Sequence, residues 1–180
     1  TANLGLEGSR LSALLELNEG KGRMAMDASY DLTSEAYHAD LAIDSLQLHH
    51  FLPKDSLYML TLHAGARGQG TDFTSPRTHA DATVSLDGIG RWHLSGVDLK
   101  ASLKSALATA QLTSNNALPK MTTEASMRLG RRYMDGQLQM DVADIGLYQL
   151  GILSAPLTRP LAFNLEAEVR RDTVRMEMKA

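Results

Sequence analysis

Apolar and polar residues alternate along this chain in short runs that stop and restart from one end to the other. Leu11, Ala13, Leu15 and Leu17 form one run; Met24, Met26, Ala28 and Tyr30 form the next; Tyr37, Ala39, Leu41 and Ile43 a third. The same period recurs at Tyr58–Leu60–Leu62–Ala64, Ala80–Ala82–Val84–Leu86 and Val97–Leu99–Ala101–Leu103. It returns at Leu138–Met140–Val142 and at Leu161–Phe163–Leu165–Ala167–Val169, and Leu4 and Leu6 already keep it near the first residue. Successive side chains of a strand point to opposite faces, so each run describes a strand with one apolar and one wet side. The pattern predicts an almost entirely β protein.

Turn residues fall between the runs. Gly20-Lys21-Gly22, Asp87-Gly88, Ser95-Gly96, Ser114-Asn115-Asn116 and Asp135-Gly136 supply positive φ or local side-chain hydrogen bonds, and each is expected to break a strand. Two segments exchange the period of two for helical spacing: Ser45 to Leu52, stopped by Pro53, and the stretch from Asp144 to Gly151. Ser45 and Asp144 are suitable N-caps, so one or two helical turns are expected over 45–52 and 144–151.

These interruptions are copies. At an offset of 99 positions Leu41 meets Met140, Ile43 meets Val142, Ser45 meets Asp144, Leu48 meets Leu147 and Phe51 meets Leu150. Upstream, Met26, Ala28 and Tyr30 align with Ala125, Met127 and Leu129; downstream a slip of two pairs Leu60 with Leu161 and Leu62 with Phe163. A capped interruption in the same place between the same strands marks an internal repeat of about 100 residues, with 23–66 matching 122–167 inside a single domain spanning 1–180.

Composition narrows the function classes. The net charge of −3 and a pI near 6.0 give no footprint for nucleic acid. The chain has no cysteine, so it has neither disulfides nor thiolate metal sites. Its apolar residues are mainly Leu, Ala and Met; nine are Met, against three Phe, one Trp and five Tyr. No apolar run reaches the roughly 18 residues of a membrane helix. A chain that opens on Thr1 and enters strand pattern at once reads as an internal or processed piece of a longer protein.

Residues that carry chemistry are scattered. His38, His63 and His79 fall on the polar side of their strands, and the adjacent His49 and His50 point about 100° apart on a helix, a poor arrangement for one ion. Asp27, Asp31, Asp40 and Asp44 alternate with apolar neighbours as an outer strand face does, and Ser95-Gly96 lacks a nucleophile elbow. No catalytic site, metal or cofactor is expected; the reading is of a non-enzyme. Lys120, Arg128, Arg131 and Arg132 make a basic cluster that suits either lipid head groups or a solvated strand end.

The strand ends "LAIDSLQL" (41–48) and "MDVADIGL" (140–147), each followed by further strands, resemble the TamB and AsmA-like family of envelope proteins, above all the TamB-type chains of the Bacteroidota. The resemblance covers most of 23–170 and rests on pattern. It implies an elongated curved sheet of long amphipathic strands, the β-taco, with an apolar groove along its length. It further implies a periplasmic location, an inner-membrane anchor elsewhere in the protein, phospholipid as cargo, and as partners neighbouring repeats of the same chain and outer-membrane assembly machinery with a BamA/TamA-like barrel. The residues expected to line that groove are Leu15, Met26, Leu41, Ile43, Leu60, Leu62, Val84, Leu99, Met140, Val142, Phe163 and Leu165, with Asp40, Asp44, Thr61, His63, Asn164 and Glu166 outside. Unbranched Met adapts to irregular partners such as acyl chains. Two other readings fit the alternation: an outer-membrane β-barrel, which the missing aromatic girdles disfavour, and a structural envelope domain whose apolar face closes on a dry core.

Overall fold

Twelve strands follow one another across a single antiparallel sheet in the computed structural model, each hydrogen-bonded to its neighbours in sequence. They are β1 (Ala2–Glu7), β2 (Arg10–Glu19), β3 (Gly22–Asp31), β4 (Ala36–Leu46), β5 (Leu60–Gln69), β6 (His79–Ile89), β7 (Val97–Lys104), β8 (Leu107–Ser114), β9 (Lys120–Leu129), β10 (Met134–Asp144), β11 (Phe163–Arg170) and β12 (Thr173–Lys179). The structure describes the chain except residues 48–58, 90–94, 117–118, 131, 133, 149–152, 172 and 180. The sheet is open: β1 and β12 are its two edges. Among the described residues there is no helix and no second layer.

The hairpins are tight where the sequence leaves little between runs. Gly20, at φ 58°, turns β2 into β3. Ser105 and Ala106 turn β7 into β8 with φ of 51° and 59°, the two positive values of a type I′ turn, although neither residue is Gly, Asn or Asp. Between β3 and β4, Asp31 organises the loop: its Oδ1 accepts from the backbone N–H of Thr33 (2.9 Å) and Ser34 (2.8 Å). The Ser9 hydroxyl donates to its Oδ2 (3.0 Å). These donors hold the Asp31 carboxyl below its ordinary value, the Ser34 and Thr33 backbone bonds contributing most.

Several expectations need correction. Ser45 and Leu46 belong to β4 rather than to a helix. Ser45 adopts φ 50° and the register jumps from Ile43–Leu62 to Leu46–Leu60, so the supposed cap is a bulge. Its N–H donates to Thr61 Oγ1 (3.2 Å) and its hydroxyl to Asp44 Oδ1 (2.9 Å). The other expected cap, Asp144, ends β10 beside a second register shift; 145–146 are irregular and 147–148 form a turn. The remainder of both expected helices, 48–52 and 149–151, lies outside the described residues, as does Tyr58.

Asp87-Gly88 does not end a strand: it sits inside β6, where Thr61 faces Gly88 and Leu62 faces Leu86, leaving Asp87 as the extra residue of a bulge. Asp135-Gly136 likewise lies within β10. Gly136 faces Met127 and Val169, and a Cβ there would come within 3.0 Å of the Ser126 carbonyl oxygen. The glycine relieves crowding instead of making a turn. Strand β11 begins at Phe163, with Leu161 exposed before it.

The two sequence-matched units fall on β3–β4–β5 and β9–β10–β11. From β4 to β5 and from β10 to β11 they use the same register: Leu41 faces Ala64 as Met140 faces Leu165, and Ile43 faces Leu62 as Val142 faces Phe163. In the preceding hairpins the match is two residues out of step, since Met26 faces Leu41 but Thr123, not Ala125, faces Met140. Both connections, 32–35 and 130–133, hold four residues, so the two hairpins differ in register and not in loop length.

Candidate functional site

Register converts twelve separate alternations into continuous rows across the sheet. One row runs Leu15, Met26, Leu41, Ala64, Val84, Leu99, Leu112, Thr123, Met140, Leu165 and Met178. The next, towards one set of strand ends, holds Met24, Ile43, Leu62, Leu86, Val97, Ser114, Met121, Val142 and Phe163. Leu60 lies one step further out, opposite Leu46. The structure therefore brings all twelve expected lining residues onto one face. On β3, β4, β5 and β11 the polar alternates Asp27, Asp40, Asp44, His63, Asn164 and Glu166 take the other.

A row that the sequence reading did not single out lies in the middle of this face. Ala13, Ala28, Ala39, Ala66, Ala82, Ala101, Ala110 and Ala125 face one another in unbroken succession from β2 to β9. Seven steps between strands make it about 34 Å long at roughly 4.8 Å per step. Bulkier residues flank it: Val84, Leu99 and Leu112 on one side, Tyr30, Tyr37, Leu103 and Met127 on the other. A depression of about 600 Å³, walled almost wholly by apolar groups, opens over its later half among Ala82, Ala101, Ala110, Leu103, Leu138 and Val169. The signal was present in the sequence as the alanines of the alternating runs at 13, 28, 39, 82 and 101, but only the register aligns them with Ala66, Ala110 and Ala125.

The face is covered by nothing described. Among the described residues only Ile43, Leu46, Leu103 and Val142 are buried hydrophobics, at 5–8% exposure, and most residues of the rows are half-buried. At the edges exposure rises steeply, to 88% at Leu4 in β1 and 64–66% at Val174, Met176 and Met178 in β12. Two hydroxyls interrupt the apolar rows. Ser114, 3% exposed, sits between Val97 and Met121; Thr123 sits between Leu112 and Met140; neither hydroxyl has a hydrogen-bond partner among the described residues.

The opposite face is wet and cross-linked by polar pairs between neighbouring strands. Gln111 donates to Glu124 Oε1 (3.2 Å), the Ser102 and Thr109 hydroxyls share a hydrogen bond (2.8 Å), and Asn164 donates to Asp141. His38 lies 2.7 Å from Asp40, while His63 and His79 are exposed on separate strands; His49, His50 and His93 lie outside the described residues. Among the described residues no three metal-ligating side chains converge. The expected basic cluster is dispersed: Lys120 opens β9 and Arg128 nears its far end, about 26 Å away at roughly 3.3 Å per residue. Arg132 is exposed beyond β9, and Arg131 lies outside the described residues.

Among the described residues the arrangement offers a broad apolar surface with a small-residue track. Comparison with family models, with curated proteins and with solved structures found no match for the chain.

Proposed function

We propose that this chain is a periplasmic segment of a TamB/AsmA-like envelope protein, and that its apolar face is a groove carrying phospholipid acyl chains. The observation that carries the reading is the run of largely apolar rows across up to eleven of the twelve strands, with no covering layer among the described residues. Water against so much Leu, Val and Met surface is unfavourable by about 25 cal/mol per Å². A face this large on one side of a sheet calls for an apolar partner. The alanine track suits a thin, linear one. It is about twice the roughly 15 Å that one acyl tail spans in a bilayer leaflet, so tails would lie across the strands and pass from one strand pair to the next.

In this reading the sheet curves over its apolar side as a β-taco, neighbouring repeats of the same chain extend the track, and a BamA/TamA-like outer-membrane barrel receives it. The inner membrane anchors the rest of the protein. A barrel formed by this chain alone is the weaker alternative, because β1 and β12 are not paired. A closed dry core needs a cover from outside the described residues.

The test is photo-crosslinking in cells from single sites at Leu62 and Leu165, with His63 and Glu166 on the opposite face as controls. Lipid adducts at the first pair and not the second are expected. Adducts to protein alone at Leu62 and Leu165 would refute the conduit and leave the structural reading.

A further inference from the structure

Two residues of the apolar face are out of keeping with it. Ser114, 3% exposed, and Thr123, whose Oγ1 is shut off from solvent, carry hydroxyls with no hydrogen-bond partner among the described residues. Their companions in the two rows set out above are Leu, Met, Val, Ile, Ala and Phe. The wet face treats the same groups differently: there the Ser102 and Thr109 hydroxyls of β7 and β8 bond each other. A buried hydroxyl left unpaired destabilises a fold, whereas an apolar residue of the same shape in its place is nearly neutral or better. The sheet itself therefore gains nothing from these two groups.

They are diagonal neighbours. Ser114 in β8 faces Met121 in β9, and Thr123 stands two residues further along β9 on the same face. Diagonal pairs lie about 7 Å apart, and each hydroxyl has one hydrogen to donate. The pair flanks the end of the alanine succession, which stops at Ala125 in β9, where Leu138 of β10 follows. On this face Thr123 is the next residue from Ala125, and Ser114 is two such steps from Ala110. Across from each hydroxyl stands a methionine, Met121 beside Ser114 and Met140 beside Thr123. An unbranched side chain with three rotatable bonds swings aside readily and uncovers what it shields.

We infer that Ser114 and Thr123 form a polar station at the end of the alanine track, donating to the two ester carbonyl oxygens of a diacyl glycerolipid whose tail lies along the alanines. This rests on the acyl-chain reading above and adds to it the part of the lipid that is held. Two donors side by side call for two acceptors, and a diacyl glycerolipid carries its esters on adjacent carbons. Neither row holds a charged side chain among the described residues. A free fatty-acid carboxylate would be buried there without a counter-ion, at far greater cost than a neutral ester.

A short-chain diester phosphatidylcholine and its diether analogue, each below its micelle threshold, differ only in these carbonyls. In isothermal titration calorimetry the wild-type chain should bind the diester about fivefold or more tighter than the diether. Ser114→Ala combined with Thr123→Val should bring the two to within about twofold, chiefly by weakening the diester. The double variant should keep the wild-type urea midpoint or exceed it, since it loses two unpaired hydroxyls and no bond. A clear fall in midpoint would assign the hydroxyls to the fold and overturn the station. Discrimination that survives in the double variant would overturn it too, by placing the ester elsewhere. Equal binding of both lipids by the wild-type chain would remove the station and leave the apolar groove standing. If neither lipid binds, the acyl-chain reading itself fails and the station with it.

Discussion

A charge placed on the apolar face distinguishes an open surface from a dry core, because the two differ several-fold in what the substitution does to stability. Leu99 lies mid-row between Val84 and Leu112 and is half-buried; Val142, between Met121 and Phe163, is 5% exposed. Fully burying a Leu side chain contributes about 1.5–3 kcal/mol, so Leu99→Asp forfeits roughly half, about 0.8–1.5 kcal/mol, while its carboxylate stays in water. Val142→Asp buries the group, and an unpaired buried charge costs several kcal/mol or drives its own neutralisation. Urea titrations followed by circular dichroism should therefore show a small loss for Leu99→Asp and a loss at least twice as large for Val142→Asp. If the two are equally and severely destabilising, with the new carboxyl at 99 titrating well above the ordinary Asp range, the face is closed and the argument from exposure fails. Native mass spectrometry of the folded Leu99→Asp protein supplies the functional half. Any co-purifying phospholipid should fall relative to wild type, since the carboxylate would desolvate against the tail.

The turn at Ser105–Ala106 holds two non-glycine residues at positive φ, so Ser105→Asn with Ala106→Gly should raise stability by about 1–2 kcal/mol, seen as a higher urea midpoint. A fall in midpoint would mean that these side chains contribute contacts outweighing the strain. Asp31 carries a pH dependence of defined sign. Its folded value is depressed, so its contribution is present above the unfolded value near 3.8 and is lost as pH falls through the lower folded value. Asp31→Asn should be less stable than wild type at pH 7, and the two should converge in acid below pH 3.8; a gap that persists there would assign the effect to something other than the charge.

Alternation made the strands legible because a two-residue period is a direct consequence of backbone geometry and needs no tertiary information. It located the faces of β2 to β7, β10 and β11. What it located badly were the places where a residue has two uses. Gly88 and Gly136 carry a turn signal, yet in β6 one adjoins a bulge, and in β10 the other avoids crowding against Ser126 and Met127. Ser45 carries a cap signal, yet its hydroxyl serves Asp44 and its backbone a register shift. β8, with Leu107, Ala108 and Ala110 around an unmarked turn at Ser105–Ala106, had no punctuation to announce it. Registers are set by loop lengths and bulges that the sequence shows only indirectly, so the alanine track, a property of registers, stayed hidden although every alanine in it was in plain view.

Four buried hydrophobics among the described residues are few for a sheet of twelve strands, and this bears on how the molecule uses whatever covers its face. Backbone hydrogen bonds and cross-strand pairs hold neighbouring strands, but strands far apart in the sheet share no core, so stability is local and summed along the meander. A partner that lies across many strands links what the fold leaves independent. Anything that binds the folded sheet and not the unfolded chain stabilises it by about 2.7 kcal/mol at one hundred times its dissociation constant. A short-chain phospholipid below its micelle threshold should therefore raise the thermal midpoint of the wild-type chain in a saturable way. The gain should shrink for Ala101→Asp, which puts a charge in the alanine track, and persist for Lys100→Ala, its neighbour on the wet face. An unchanged midpoint across the titration, or equal shifts for both variants, would break the link between this face and an apolar ligand.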